Sequence, residues 1–141
     1  MPRVFGTSVL GIFLASLAFF VVGFLWYGVF FMKEWAVLTG TPTDGDMSIT
    51  PLIVGFMITL VQVLGLSFIL QHAGASTLVT CVKICGLIAL LIAFPIMAYN
   101  LNYEGRPLAL FKIDGSHILV GYLLVGVVLS FFRGKDANKN H

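Results

Sequence analysis

Charged side chains are scarce in this chain. Eight basic and six acidic residues make up only 10% of its 141 positions, while 59% are hydrophobic. Soluble domains carry about 25% charge, and a domain this small could not cover so much apolar surface with so little polar surface. A water-soluble globule is excluded on that ground, and the mean hydropathy of +1.02 points to lipid as the solvent. The net charge of +2 is too small and too scattered to suggest nucleic acid as a partner. Cysteine is scarce as well. Cys81 and Cys85 lie in an apolar run with no third or fourth ligand nearby, which gives neither a disulfide framework nor a metal site. They read as small buried hydrophobes. No Ser-His-Asp arrangement, phosphate-cradling loop or metal cluster is present, so no cofactor and no metal are expected and an enzyme is disfavoured. Asp and Glu are missing from the first three apolar runs, which removes the mid-membrane carboxylate that proton-coupled transport uses. No internal repeat stands out, so an inverted-repeat transporter within one chain has no support.

What is present is four long apolar runs, at about residues 6–31, 51–71, 78–98 and 113–132. A helix needs about 20 apolar residues to cross the hydrocarbon. The first run follows Arg3 as a signal peptide would, yet it exceeds the roughly 7–15 residues of a signal h-region and is expected to stay as an uncleaved span. Pro51 suits a helix start, and Pro95 predicts a kink near the end of the third span. Ile118–Phe132 alone would be about 22 Å long. The fourth helix must therefore start near Ile113, drawing Asp114 and His117 into its first turns. Alternatively, Pro107–Lys112 lies flat in the interface and leads into it, since a proline at a helix start loses no hydrogen bond. The stretch 32–50 reads as an exposed turn region after Leu38, and Arg133–His141 as a short solvated tail. The expected fold is all-α: an integral membrane four-helix bundle forming one transmembrane domain over residues 1–141.

Four spans put both termini on one side together with the 72–77 loop. That side holds Arg3, Lys83, Arg133, Lys135 and Lys139; the other holds Lys33, Arg106 and Lys112. Counting Lys and Arg, cytoplasmic termini are predicted. Trp26, Tyr27, Trp35, Tyr99 and Tyr103 then gather towards the outer face, as interfacial anchors do.

Helices in lipid associate through small residues and a few hydrogen bonds. Ser8, Gly11, Ala15 and Ala18 recur at helical spacing in the first span; Gly55, Thr59 and Gln62 in the second; Gly86, Ala89 and Ala93 in the third; Gly126 and Ser130 in the fourth. Gln62 is expected to act as interhelical glue. Lys83, about five residues into the third span, is expected to snorkel to the near surface. His72 and His117 fall at opposite membrane faces, which argues against one haem iron clamped by both.

The most polar stretch precedes the last helix. Asn100, Asn102, Glu104, Arg106, Lys112, Asp114 and His117 crowd into it. Asp114, His117 and Gly121 share one helix face, so Asp114 is placed to orient and charge-stabilise His117. The bland reading of the same residues is a salt-bridged interfacial anchor.

"GFLWYGVFFMKEW" (Gly23–Trp35) and "YEGRPLALFKIDGSHILVGYLLVGVVLS" (Tyr103–Ser130) together resemble the two ends of the DUF1761 family of small bacterial membrane proteins. The resemblance implies four spans in a bacterial inner membrane and no established biochemical activity. Three functions are expected in order: a structural or accessory subunit assembling with itself or a larger membrane complex; a small oligomeric transporter or channel; and an outer-face lipid or small-molecule site built from Arg106, Asp114 and His117.

Overall fold

The computed structural model describes residues 2–40 and 49–133. The chain opens on a two-residue hairpin, β1 (Arg3–Val4) paired antiparallel with β2 (Thr7–Ser8). Phe5 and Gly6 at its turn both have positive φ, 50° and 80°, the requirement of the tight turns that match strand twist. Helix α1 (Val9–Leu25) follows, and runs on through a π-helical turn at Trp26–Phe30. Short α2 (Met32–Thr39) ends on Gly40 at φ 72°, a left-handed C-cap. Then come α3 (Ile49–Ala73), α4 (Leu78–Ile88) continuing through a π-helical turn at Ala89–Ala93 into α5 (Phe94–Tyr103), and α6 (Leu108–Phe132).

Among the described residues, four helices are long and apolar enough to cross a membrane: Val9–Phe30, Ile49–Ala73, Leu78–Tyr103 and Leu108–Phe132. No more than 33% of any of these spans is buried inside the chain, and Ile53, Met57, Ile58, Val61, Val79 and Leu91 are among the side chains left exposed. In water such a surface would aggregate; around a multi-pass membrane protein it faces lipid. The fold is an all-α helical bundle of four spans, with α6 packed most extensively, against α4 on one side and α1 on the other.

Several boundaries differ from those expected. The first helix starts at Val9, because Ser8 leaves the helix to cap it: the Ser8 Oγ accepts the Gly11 N–H at 3.1 Å. The third span reaches Tyr103 instead of stopping near 98. Just before Pro95, where a kink was expected, the helix widens: the Phe94 N–H bonds the Ala89 carbonyl one residue further back than in an α-helix. This is how a helix absorbs the proline's steric clash with the preceding turn. The last helix starts at Leu108 with Pro107 at its N-cap, so Asp114 is about 9 Å inside it, and no separate flat segment precedes it.

The helices are stitched by small residues. A Cβ on Gly126 would stand 3.0 Å from the Cys81 carbonyl oxygen and 3.0 Å from the Val82 Cα, so only a bare backbone lets α6 approach α4 this closely. Gly11 lies against Phe132, and Gly121 against the Phe19 ring. Ala15, Gly86 and Ala89 are buried, Ala18 and Gly55 half-buried. The Thr59 hydroxyl bonds back to its own helix at the Gly55 carbonyl, 2.9 Å. Gln62 accepts the Tyr122 hydroxyl across helices at 2.8 Å. Replacing Tyr122 by Phe should leave the Gln62 amide oxygen without that donor and cost about 1 kcal/mol, the usual size of an interhelical hydrogen bond in lipid. Reversible unfolding in mixed micelles measures it, and an unchanged stability would remove Gln62 from the list of helix contacts.

The core of Phe19, Val63, Leu70, Cys85, Val125 and Leu129 fills the half of the bundle nearer Arg133. That end is closed by a polar knot. Arg133 was expected in a solvated tail, yet it is only 8% exposed. Its Nε donates to the Ala75 carbonyl (2.6 Å), one terminal nitrogen donates to the Phe5 carbonyl (3.1 Å) and the Thr7 hydroxyl (3.2 Å), and the other to Gln71 Oε1 (3.3 Å). Thr7 and Ser67 share a further hydrogen bond of 3.0 Å. The guanidinium thereby pins the hairpin, the end of α3 and the α3–α4 connection to the end of α6. The rest of the tail lies outside the described residues, as does most of the stretch expected as a turn region after Leu38.

Candidate functional site

At the opposite end the packing opens. The π-helical turn of the first span, closed by the Phe31 N–H on the Trp26 carbonyl at 2.9 Å, turns two consecutive aromatic residues onto α6. Trp26 Nε1 donates to Ser116 Oγ at 3.0 Å, and the Tyr27 hydroxyl donates to Asp114 Oδ1 at 2.6 Å. Ser116 in turn donates to the Ile113 carbonyl. The two rings therefore do more than mark an interface: they fasten the end of the first span to the polar start of the last. Tyr99 and Tyr103, by contrast, are exposed and stacked on one another, with ring centroids 6.0 Å apart.

His117 does not take Asp114 as its partner, contrary to the shared-face expectation. Its ring packs against Tyr27 (centroids 5.0 Å apart, edge-on) and Phe19 (5.4 Å). Gly23 makes room for it, since a Cβ there would lie 3.3 Å from His117 Nε2. Neighbours three apart on a helix face can meet, but each of these side chains finds its contact on the first span. The 2.6 Å phenol–carboxylate bond turns Asp114 towards Tyr27, and the aromatic walls hold the imidazole.

Beyond these contacts lies an open cavity of about 690 Å³. Every span contributes to its wall: Tyr27 from the first, Pro51 and Gly55 from α3, Met97 from α5, and Asp114 and His117 from α6, with Trp35 of α2 and Arg106 of the α5–α6 connection at its margin. Tyr27 and Trp35 meet with centroids 5.5 Å apart at 66°. A second recess of about 20 Å³, room for roughly one water, touches Asn100, Arg106 and Asp114. Arg106 is paired through Nε with Glu104 Oε2 at 3.0 Å, both side chains about half exposed, so this pair adds little stability.

Of the residues singled out from the sequence, Arg106, Asp114 and His117 thus share one cavity, with Asn100 beside it. Glu104 points outward to Arg106, and Asn102 is exposed. Lys112 is exposed on another face, in a groove with Lys33 and Glu34. Lys83 is exposed on α4. His72 is at the Arg133 end, its Nδ1 3.1 Å from the Phe68 carbonyl oxygen. Sequence reasoning missed Tyr27, Trp35 and Gly55 as cavity residues, and Thr7, Ser67, Gln71 and Arg133 as a knot. Ser67 and Gln71, one turn apart on α3, were a legible polar stripe; nothing in the spacing linked Tyr27 to Asp114.

Neither a curated protein nor a solved structure matches the chain. The family model described as "Protein of unknown function (DUF1761)" matches residues 10–130, all four spans and the cavity between them, and the chain belongs to that family.

Proposed function

We propose that this protein binds a small, partly apolar molecule in the cavity at the Pro107 end of its bundle. One observation carries the reading: residues of all four spans line an open cavity of about 690 Å³ there, while the buried hydrophobic cluster occupies the other half of the bundle. That volume lies within the range of small-molecule sites, roughly 300–1,000 Å³, and polar groups are confined to a few positions on an otherwise apolar wall. Orientation follows from the excess of Lys and Arg on the terminal side: the termini are cytoplasmic, in a bacterial inner membrane, and the cavity faces outward. The accessory-subunit reading has less support, because Gly11, Ala15, Gly86, Ala89 and Gly126 are consumed within this chain.

Filling the cavity tests the proposal. A Cβ on Gly55 would make only ordinary contact, 3.7 Å from Phe20, so Gly55→Phe should fold and project its ring into the space. Native mass spectrometry of protein purified from its own membrane should show a co-purifying small molecule on the wild type and none on Gly55→Phe. The same bound mass on both proteins would rule out the cavity as the site.

A further inference from the structure

From the charges and rings of this cavity we infer that its ligand is an organic monocation with an apolar body, held by the Asp114 carboxylate and the aromatic rings of Tyr27 and Trp35; the inference rests on the binding reading above. Asp114 is the acid of the wall and Arg106 its base, but Arg106 is turned to Glu104. Among the described residues no basic group lies within ion-pair distance of Asp114. A carboxylate this far into a spanning helix is costly without a counter-charge. The Tyr27 hydroxyl occupies Oδ1 and fixes the group's direction, while Oδ2 has no hydrogen-bond donor among the described residues. Glu104 and Asp114 against Arg106 leave this end of the site with one net negative charge, so its electrostatic demand is for one positive charge.

The surroundings select the kind of cation. The Tyr27 and Trp35 ring planes meet at 66°, and those of Tyr27 and His117 at 71°. These three rings line the cavity together with Asp114, and aromatic rings attract ammonium groups placed over them. A hard inorganic cation would need several oxygen ligands, and no group of three or more His, Cys, Asp or Glu side chains assembles among the described residues. An anion would meet Asp114. The remaining wall, with Pro51, Gly55, Met97 and Ile118, suits a hydrocarbon or aromatic body.

Phenethylammonium, phenethyl alcohol and phenylacetate share a body and differ in charge. Binding of each to purified protein in micelles can be followed by tryptophan fluorescence, since Trp35 is at the cavity, and by calorimetry. The ammonium should bind at least about tenfold more tightly than the alcohol or the acid, the scale of a desolvated cation–π and carboxylate contact. Asp114→Asn keeps an oxygen for the Tyr27 hydroxyl and should erase that preference. If Asp114→Asn does not fold, the three probes on the wild type still decide. Equal binding of all three, unchanged in Asp114→Asn and lost in Gly55→Phe, would overturn the cation while leaving the cavity as a binding site. Preference for phenylacetate would overturn it too. Binding of none, together with no co-purifying molecule, would end both readings.

Discussion

Arg133→Ala should be among the most damaging single substitutions in this protein, lowering its stability by about 3–4 kcal/mol. The guanidinium makes four hydrogen bonds, to Ala75, Phe5, Thr7 and Gln71, from a position only 8% exposed. Bonds to a charged donor contribute about 1.5–3 kcal/mol each, and an acceptor left buried without one carries its own penalty. The total falls short of the sum because water will reach a knot once it opens. Arg133→Lys should recover less than half of the loss, since an ammonium cannot spread its donors over a planar fork. The damage should begin at the hairpin. Limited proteolysis should cut near Phe5 and Gly6 well before any helix, and unfolding in mixed micelles should give the magnitude. Wild-type stability in Arg133→Ala would mean that the guanidinium is decorative and that the hairpin is held by its own two residue pairs and its bonds to Ser67.

Gly126→Leu should cost at least about 3 kcal/mol, through the backbone seam of α4 and α6. Even the Cβ of an alanine would lie 3.0 Å from two backbone atoms of α4, at Cys81 and Val82. Backbone atoms cannot swing aside as a rotamer can, so the helices must separate, and overpacking by a methyl or two already costs about 1–3 kcal/mol. Leucine adds more, and separation would also loosen Cys81, Cys85 and Leu129 in the core behind it. Gly126→Ala should fall between wild type and leucine. Gly65→Leu provides the control: nothing lies within 4 Å of a Cβ there, the position is exposed to lipid, and the change should stay within about 0.5 kcal/mol. Equal effects of the two leucines would show that glycine is used for helix flexibility here and not for close approach.

The two ends of the bundle thus have opposite designs. One is closed by a buried cation and the buried core; at the other, aromatic hydrogen bonds fasten the first span to α6 beside an open cavity. The spacing of small residues made the closed part readable. Gly11, Ala15, Gly86, Ala89 and Gly126 were legible as packing positions because close approach in lipid demands small side chains at helical intervals. The open part was legible only by composition. Asn100 to His117 stood out as polar residues, yet nothing in the sequence said that Asp114 would take Tyr27, that His117 would sit between Phe19 and Tyr27, or that Lys112 would face elsewhere. Helical spacing states which residues share a face; it does not state which neighbour that face meets. The Arg133 knot was hidden for the same reason, since its partners are scattered from Phe5 to Ala75 and a basic residue after an apolar run ordinarily marks a solvated tail.

By itself, then, the sequence determined the solvent and the number of crossings. Too few charges and four apolar runs of sufficient length leave the chain no option but helices whose backbone hydrogen bonds close within each segment. Only the tertiary structure decided which helix ends meet, because α6 lies between α1 and α4 and the π-helical turn at Trp26–Phe30 sets where its aromatic rings land. Hydropathy is additive along a chain and can be summed from a list of residues, whereas a cavity exists only in the distances between segments that the list does not contain.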